Sequence, residues 1–437
     1  MKRIFIYILT AVVFLGLTGC REEANVFDQS AAERIKNYEQ TLRQNLTSQS
    51  NGWEMRYFPT ASSAGYPLLM KFNANGEVLV AAKNPISSRN IYAEETSLWG
   101  ISSNQGCVLS FHSYNELLSV FADPGSDGIG HGGDYEFVVL QNDSNYIRLL
   151  GKKHGAYITM EPVPDAMTWK GYFDAVDTYN DHLFADNDGI DLTYFDGKKE
   201  TPLSYSNGII SYKNKAGEDV IQGIILTPTG LHMYSGLMLA DSTRIVNDFV
   251  LTEDKSALVS TDGSAFITSN YTAADFFAFK FAKYSRWKYI EDGTDAATVA
   301  ALQALESAAE ANGATVHNLA YERTILVNSR GTKTYSYSLY LSYRVAEGKV
   351  FGGRIKLDYT KTDTTITLQY KGYEEALRPF FARIDANPEN AAQQFADIFC
   401  GTFTPESYTG SKINMTQLNM KKADGSNIHV VAEKIIM

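Results

Sequence analysis

The stretch of the chain that most resembles a reactive site is DPGSDGIGHGGDYEFVVL, residues 123–140. It contains the potential metal ligands Asp123, Asp127, His131 and Asp134, and its glycines match the G-x-G-x-x-G pattern of dinucleotide-binding loops. That pattern binds a pyrophosphate only where it follows a strand and opens a helix, whereas these glycines lead into an apolar, β-branched run. The glycines also leave the four side chains without a fixed geometry. We therefore interpret the stretch as a turn that leads into a strand, without a metal.

A second acidic stretch, DNDGIDLTYFDG at residues 186–197, has the composition of a calcium loop. When an EF-hand is aligned on Gly189, its first and twelfth ligand positions hold Phe184 and Phe195, where oxygen ligands are required. This alignment excludes an EF-hand. The chain also lacks H-E-x-x-H, G-x-S-x-G, P-loop and C-x-x-C motifs. We predict no metal, no cofactor and no identifiable catalytic residue, although a carboxylate pair for glycoside hydrolysis would not be visible in sequence.

Aromatic side chains are the most abundant candidates for binding, because 27 tyrosines, 23 phenylalanines and four tryptophans make up 12% of the chain. A flat ring with a polar edge suits the apolar face of a sugar as well as a protein partner. We single out Trp53, Tyr66, Trp99 and Tyr114 as candidate ligand contacts. The alternative is that these rings fill the core and favour strands without any ligand.

The first 20 residues, MKRIFIYILTAVVFLGLTGC, have the layout of a lipoprotein signal peptide. Two cations precede an apolar run of about fourteen residues, which is shorter than the roughly 20 residues of a membrane-spanning helix. The last four residues, Leu-Thr-Gly-Cys, resemble a bacterial lipobox, so we predict lipid attachment at Cys20. Several acyl chains would then anchor the protein in outer-membrane lipid, because one chain alone binds only marginally. The following Arg-Glu-Glu resembles the surface-export signal of Bacteroides-type lipoproteins.

The net charge of −11 disfavours nucleic acid as a partner, because an acidic body repels the phosphate backbone and the chain has no basic stripe. Beyond Cys20 the chain has two cysteines, Cys107 and Cys400. They could pair in an oxidising compartment, and two free thiols are the alternative.

Local patterns predict a mainly β protein with added helices, of the α+β class. Asn-Gly and Asp-Gly pairs mark tight hairpin turns, and the segment YSYSLYLSYR alternates as a half-buried antiparallel strand does. Helices are predicted at residues 28–48, 174–184 and 295–312, and twice within 372–400. We expect antiparallel, hairpin-rich domains that are either lipocalin-like barrels or sandwiches.

The predicted organisation follows from these elements and from the length of 437 residues, which exceeds one comfortable core. Its parts are a signal peptide (1–20), a tether with the N-terminal helix (21–50), an N-terminal β domain (51–165) and a β-rich C-terminal part with helices (166–437). The length of this last part allows a further division near residue 292.

Several longer segments resemble one known family. NGWEMRYFP, GYPLLMKFNANGEV, SNQGCVLSFHSYNELLSVFADP, GGDYEFVVL and IRLLGKKHG follow one another between Asn51 and Pro162, and IQGIILTPTGLHMYSG continues the likeness more faintly. In order and spacing they resemble the Bacteroides-type lipoprotein family known as domain of unknown function 4302. The resemblance implies an outer-membrane lipoprotein near the machinery of nutrient import, and it brings no catalytic residues. Cys107 stands where the family pattern has proline, which implies that this thiol is not required.

We therefore expect a lipid-anchored, surface-exposed accessory protein of the outer membrane that binds a glycan, peptide or partner protein in nutrient capture, without catalysis. One alternative is a hydrolase of host or dietary polymers that uses an unrecognised carboxylate pair. A second is a structural subunit of an outer-membrane complex. Two carboxyl groups about 5 to 9 Å apart would favour the hydrolase. An open groove lined by exposed rings would favour binding, and a large flat apolar patch would favour a subunit.

Overall fold

The computed structural model describes residues 30–434, apart from residues 104–105, 127, 129, 184–189, 281–284 and 328–332. In this part of the chain, 24 strands form three closed antiparallel barrels of eight strands each. One compact unit ends at Met167 and contains the first barrel; the other comprises residues 61–66 and everything from Thr168, including the second and third barrels. The predicted mainly β, α+β fold is confirmed, and its β domains are barrels.

The first barrel follows helix α1 (Ala31–Ser48), which begins at a capping box formed by Ser30 and Glu33. In this box the Glu33 N–H donates to Ser30 Oγ at 3.3 Å, and the Ser30 N–H donates to the Glu33 carboxylate at 2.9 Å. Each strand pairs with the next, and pairing of the first with the last closes the barrel. A short helix, α2 (Glu116–Ser119), lies between the fifth and sixth strands. The strands are β1 (Trp53–Tyr57), β2 (Tyr66–Phe72), β3 (Glu77–Ala82), β4 (Ala93–Ser102), β5 (Val108–Phe111), β6 (Glu136–Asn142), β7 (Ile147–Gly151) and β8 (Tyr157–Pro162).

The second barrel follows helix α3 (Trp169–Leu183), which begins earlier than the predicted residue 174. The hairpin between its second and third strands turns tightly at Asn207 and Gly208, whose φ angles of 51° and 76° are the positive values that such turns need. The strands are β9 (Ile190–Phe195), β10 (Glu200–Ser206), β11 (Ile209–Lys213), β12 (Asp219–Thr227), β13 (Gly230–Met238), β14 (Ile245–Leu251), β15 (Leu258–Ser260) and β16 (Phe266–Thr268).

The third barrel carries most of the helices. Helix α4 (Ala273–Lys280) precedes it, α5 (Ala296–Ala311) follows its first strand, and a 3₁₀ turn (Glu375–Leu377), α6 (Arg378–Phe381) and α7 (Pro388–Phe399) connect its fifth and sixth strands. The strands are β17 (Ser285–Ile290), β18 (Ala314–Val327), β19 (Lys333–Val345), β20 (Val350–Lys361), β21 (Ile366–Tyr373), β22 (Gly401–Ser407), β23 (Gln417–Lys422) and β24 (Asn427–Lys434). The second barrel ends at Thr268, so residue 292, the suggested division, lies after β17 and within the third.

A tryptophan at the start of the first and third barrels ties each barrel to the helix before it. The Trp53 indole N–H donates to the Leu46 carbonyl at 3.0 Å, and the Trp287 indole donates to the Phe277 carbonyl at 2.9 Å. Both tryptophans are fully buried. Each acceptor lies in the last turn of its helix, where carbonyls have no partner within the helix. The indole therefore satisfies a backbone group and fixes the helix against the barrel.

Apolar side chains fill the core of the third barrel, as expected for an eight-stranded barrel, whose interior is about wide enough for side chains. On β19 the predicted alternation holds only in part: Leu339, Leu341 and Tyr343 are buried in this core, but Tyr335 on the same face is 48% exposed, and Ser338 and Ser342 on the opposite face are also buried. Helices α4, α6 and α7 add phenylalanines to the same cluster. Among the described residues, no helix combines the length and apolarity of a membrane-spanning segment.

Candidate functional site

An open groove of about 590 Å³ lies on the third barrel. One wall is formed by the end of β19, the start of β20 and the hairpin between them. The other wall is formed by Gly313, by residues of the 3₁₀ turn and of α6, and by Arg383, which follows α6. The side chains that matter for chemistry are Tyr343, Glu347, Lys349, Phe351 and Arg383. The groove thus combines aromatic rings with charged groups of both signs.

Two consecutive glycines on β20 leave room for side chains that pack closely against the strand. A Cβ at Gly352 would lie 2.6 Å from Tyr340 Oη, and one at Gly353 would lie 2.8 Å from Leu377 Cγ. A larger residue at Gly353 would displace Leu377 of the 3₁₀ turn, whereas one at Gly352 would displace the Tyr340 hydroxyl on β19. Because the 3₁₀ turn leads directly into α6, Gly353 also affects the position of Arg383, just beyond α6.

Stacked rings form the floor of the groove. Tyr343 is only 3% exposed, and its ring packs on Phe380 at 4.9 Å and on Phe351 at 5.8 Å between centroids. Phe351 itself is 47% exposed to solvent. The groove therefore presents an exposed ring with a rigid aromatic support beneath it.

Arg383 is held in place by the end of α5. Its guanidinium Nη1 donates to the carbonyl of Asn312, and the Asn312 side-chain amide donates to the Arg383 carbonyl at 2.7 Å. The Nε of Arg383 is buried, and no described residue accepts a hydrogen bond from it. Burial raises the pKa of Tyr343, and the positive charge of Arg383 partly offsets this by lowering it.

The other two charges of the groove neutralise each other. Lys349 Nζ lies 2.8 Å from a Glu347 carboxylate oxygen, in an exposed ion pair. Arg383, by contrast, has no carboxylate within 4 Å among the described residues. Among the groove residues that the structure describes, Glu347 is the only carboxylic acid. The arrangement can bind a ligand through ring contact and one cation, but it offers no pair of carboxyl groups.

Two of the four predicted aromatic contacts are core residues, which corrects the sequence-based expectation. Trp53 is fully buried with its indole bonded to Leu46, as described above. Trp99 is also buried; its indole donates to the Asn73 carbonyl at 3.2 Å, and the Arg43 guanidinium covers its ring at 4.6 Å. Neither ring has a free face for a ligand, because tertiary packing and not the local sequence decides which rings are exposed.

The other two predicted contacts retain some surface. Tyr66, at the start of β2, is half-buried, and burial raises the pKa of its phenol. Tyr114 is 59% exposed, and its hydroxyl donates to Asp123 at 2.6 Å. This hydrogen bond is the main reason why the pKa of Tyr114 rises to about 12. Tyr114 thus remains a candidate contact, although an acidic neighbour occupies its hydroxyl.

In the glycine-rich stretch at residues 123–140, the contacts of Asp134 stabilise the fold. Asp134 is buried, and its carboxylate accepts the N–H groups of Lys153 and His154 at 3.0 and 2.9 Å. The Tyr57 hydroxyl donates to the Asp134 carbonyl at 3.0 Å and accepts from its N–H at 2.9 Å. Asp127 lies outside the described residues. The described chain has no group of three or more His, Cys, Asp or Glu that could hold a metal.

Both cysteines beyond the N-terminus are free thiols. Burial raises the pKa of Cys107 to about 11 and that of Cys400 to about 12, which makes both poor nucleophiles. The predicted lipid-attachment residue, Cys20, lies outside the described residues. A second cavity of about 340 Å³ borders Cys107, between α1 and the first barrel, with Ile35 and Tyr38 exposed beside it.

Sequence reasoning missed the groove because its rings and its cation come from separate segments. One signal was available: Val350 and Phe351 form an apolar pair directly after the polar turn EGK and before two glycines. Such a pair at a hairpin end is unusual for a solvent-facing strand that alternates apolar and polar residues.

Comparison with known proteins places the chain in one family. No curated protein matches the chain. One family model, described as a domain of unknown function (DUF4302), matches residues 23–253, which is more than half of the chain. The match covers α1, the first barrel and the second barrel as far as β14, and thus all the segments in which the sequence resembles this family. The protein therefore belongs to the DUF4302 family.

Proposed function

We propose that the protein is a non-catalytic binding protein and that the groove of the third barrel holds its ligand. The observation that carries this proposal is the exposed ring of Phe351, supported by Tyr343, beside the guanidinium of Arg383, which has no carboxylate partner among the described residues. Pockets that combine apolar surface with a few placed polar groups are the usual form of ligand sites. A hydrolase of the carboxylate-pair type would need a second acid, whereas this groove has Glu347, which is held by Lys349.

The protein would act at the outer surface of a Bacteroides-type bacterium, anchored by lipid on Cys20. Support for this location comes from the signal-peptide layout, the lipobox and the acidic tether of the sequence. In this setting a binding protein would capture a nutrient glycan, peptide or protein for import. Replacement of Cys20 by alanine should shift the protein out of the membrane fraction, and protease treatment of intact cells should remove the native protein.

The experiment that tests binding without catalysis is a screen of the full-length protein against glycan and peptide arrays. Each bound compound is then incubated with the protein and analysed for products. We expect at least one compound that binds and is recovered intact. Turnover of any compound would overturn the non-catalytic proposal in favour of the hydrolase. Co-purification of the protein in a stable complex, with no array compound bound, would instead favour the structural subunit.

A further inference from the structure

The groove contains one cation that no carboxylate of the described residues neutralises. Lys349 is paired with Glu347 at 2.8 Å, while the Arg383 guanidinium donates to the neutral carbonyl of Asn312. In a chain with a net charge of −11, such an arginine gives the surface beside this open groove a local positive charge. Guanidinium groups match carboxylates in geometry and bind them through charge-assisted hydrogen bonds.

Arg383 is also preorganised. Its backbone carbonyl accepts from Asn312 and its Nη1 donates back to the same residue, so the side chain is held before any ligand arrives. A guanidinium that is already immobilised loses less conformational freedom on binding than that of a free surface arginine.

The ring beside this cation has a free face and a neighbouring hydroxyl. Phe351 is 47% exposed, and Tyr343 beneath it makes no hydrogen bond through its phenol oxygen within the described part of the chain. A flat apolar surface next to a hydroxyl group fits a sugar ring, which has an apolar face and hydroxyls at its edge.

The closed barrel argues against an extended peptide. Peptides commonly bind by adding a strand to a free sheet edge. In the third barrel β17 pairs with β24, and every described strand has a neighbour on both sides. The groove wall formed by β19 and β20 therefore can contact a ligand through side chains, but it has no free backbone edge with which a peptide strand could pair.

We propose that this groove recognises an acidic sugar, with the carboxylate of a uronic acid on Arg383 and the face of its ring on Phe351. This inference rests on the proposed function and names the ligand class for the same site. A neutral sugar of the same shape would keep the ring contact and lose the charge-assisted hydrogen bonds.

The test is calorimetric titration of the full-length protein in detergent with three probes: a galacturonate oligosaccharide, a neutral galactose oligosaccharide of equal length and an acidic peptide. We expect the acidic sugar to bind at least about tenfold more tightly than the neutral sugar, since a hydrogen bond between charged groups is typically worth that much or more. Its affinity should fall as salt is raised, because the carboxylate and guanidinium attract electrostatically.

Variants separate the two contacts. Arg383→Lys should weaken the acidic sugar about tenfold and leave the neutral sugar unchanged, because lysine keeps the charge but cannot hold both the Asn312 carbonyl and the sugar carboxylate in the fixed geometry of a guanidinium. Phe351→Ala should weaken both sugars. Tyr335→Ala is the matched control, since Tyr335 is equally exposed, at 48%, at the opposite end of β19. Melting curves of each variant identify any loss that reflects unfolding.

Equal affinity for the acidic and neutral sugars would overturn the acidic-sugar inference and leave the proposed binding function intact. Tighter binding of the acidic peptide, lost in Phe351→Ala, would also overturn it in favour of a peptide ligand. Binding that Phe351→Ala leaves unchanged for every array compound would overturn the groove as the binding site, and with it the proposed function of this surface.

Discussion

Replacement of Trp53 or Trp287 by phenylalanine should loosen one barrel and leave the other unchanged. Each indole donates to the last turn of the preceding helix, Trp53 to Leu46 at 3.0 Å and Trp287 to Phe277 at 2.9 Å. Phenylalanine keeps an aromatic ring in the core but removes the donor. The buried carbonyl would then be left without its indole partner.

The expected cost follows from these contacts. A buried acceptor without a donor costs about 1–3 kcal/mol, and the smaller ring leaves a cavity worth about 1 kcal/mol more. We therefore expect the free energy of opening to fall by about 2–4 kcal/mol in each case. The Trp287 ring also stacks on Phe277 at 5.5 Å with an interplanar angle of 4°, and phenylalanine can retain part of that contact. The cost at residue 287 should therefore lie at the lower end.

Hydrogen exchange measured by mass spectrometry is the appropriate assay, because a chain of several barrels need not unfold in one step. Peptides from α1 and β1 should lose protection in Trp53→Phe, and peptides from β17 should lose it in Trp287→Phe. Uniform loss over all three barrels would refute the argument that each tryptophan fixes its own helix. Unchanged protection in both variants would refute the assigned hydrogen bonds.

Three further predictions concern packing and titration. Gly133→Ala should destabilise the first barrel by about 2–3 kcal/mol in chemical denaturation, because a Cβ there would lie 2.2 Å from Tyr57 Oη. Gly128→Ala should cost only about 1 kcal/mol, because a Cβ there would have no atom within 4 Å and only the φ of +76° is unfavourable. Equal losses of stability in the two variants would contradict this reasoning. Burial, followed by the charges of Glu291 and Glu310, raises the pKa of Glu306, so its ionised form costs stability above the ordinary value of 4.5. Denaturation at several pH values should therefore show that Glu306→Gln is stabilising at pH 7 and neutral well below pH 4.5, and a gain at low pH would contradict the sign. Cys107 and Cys400 have pKa values of about 11 and 12, so roughly one thiol in a thousand or fewer is ionised at pH 8. Both should therefore react with a thiol reagent at this pH only after the protein unfolds. Rapid labelling of the folded protein would contradict this prediction.

Local features of the fold were predictable because they depend on neighbouring residues. The capping box of Ser30 and Glu33 forms as its spacing indicates, and the hairpin at Asn75–Gly76 pairs Met70 with Val80 and Phe72 with Val78. Helix α5 begins after its N-cap Asp295 and is followed by Gly313 with a φ of +77°. Each of these outcomes is decided within a few residues of chain.

Local sequence patterns could not predict that each sheet closes into a barrel, or that all three barrels have the same sequential order of strands. Closure of the first barrel requires Trp53 to pair with Pro162, and no local pattern encodes such a distant contact. The common topology is also obscured in the sequence, since β9 lacks the tryptophan that begins the first and third barrels. Only the tertiary structure shows that Trp53 and Trp287 have equivalent roles.

The candidate site was the least predictable part. Composition indicated that aromatic rings were available, but it could not distinguish the buried Trp53 and Trp99 from the exposed Phe351. Gly353 leaves room for Leu377 of the 3₁₀ turn, and Arg383 is held at the groove by Asn312, which is distant in the sequence. The site is a product of packing between segments, which a residue-by-residue inspection does not reveal.

The most direct test of binding at this groove compares the wild-type protein with Phe351→Ala on the same glycan and peptide array, with product analysis of every bound compound. We predict that at least one compound binds the wild type, is recovered intact and loses about tenfold or more in affinity in the variant, while Tyr335→Ala behaves as the wild type. A cleaved compound, or one that binds both proteins equally, would contradict a non-catalytic binding site at this groove.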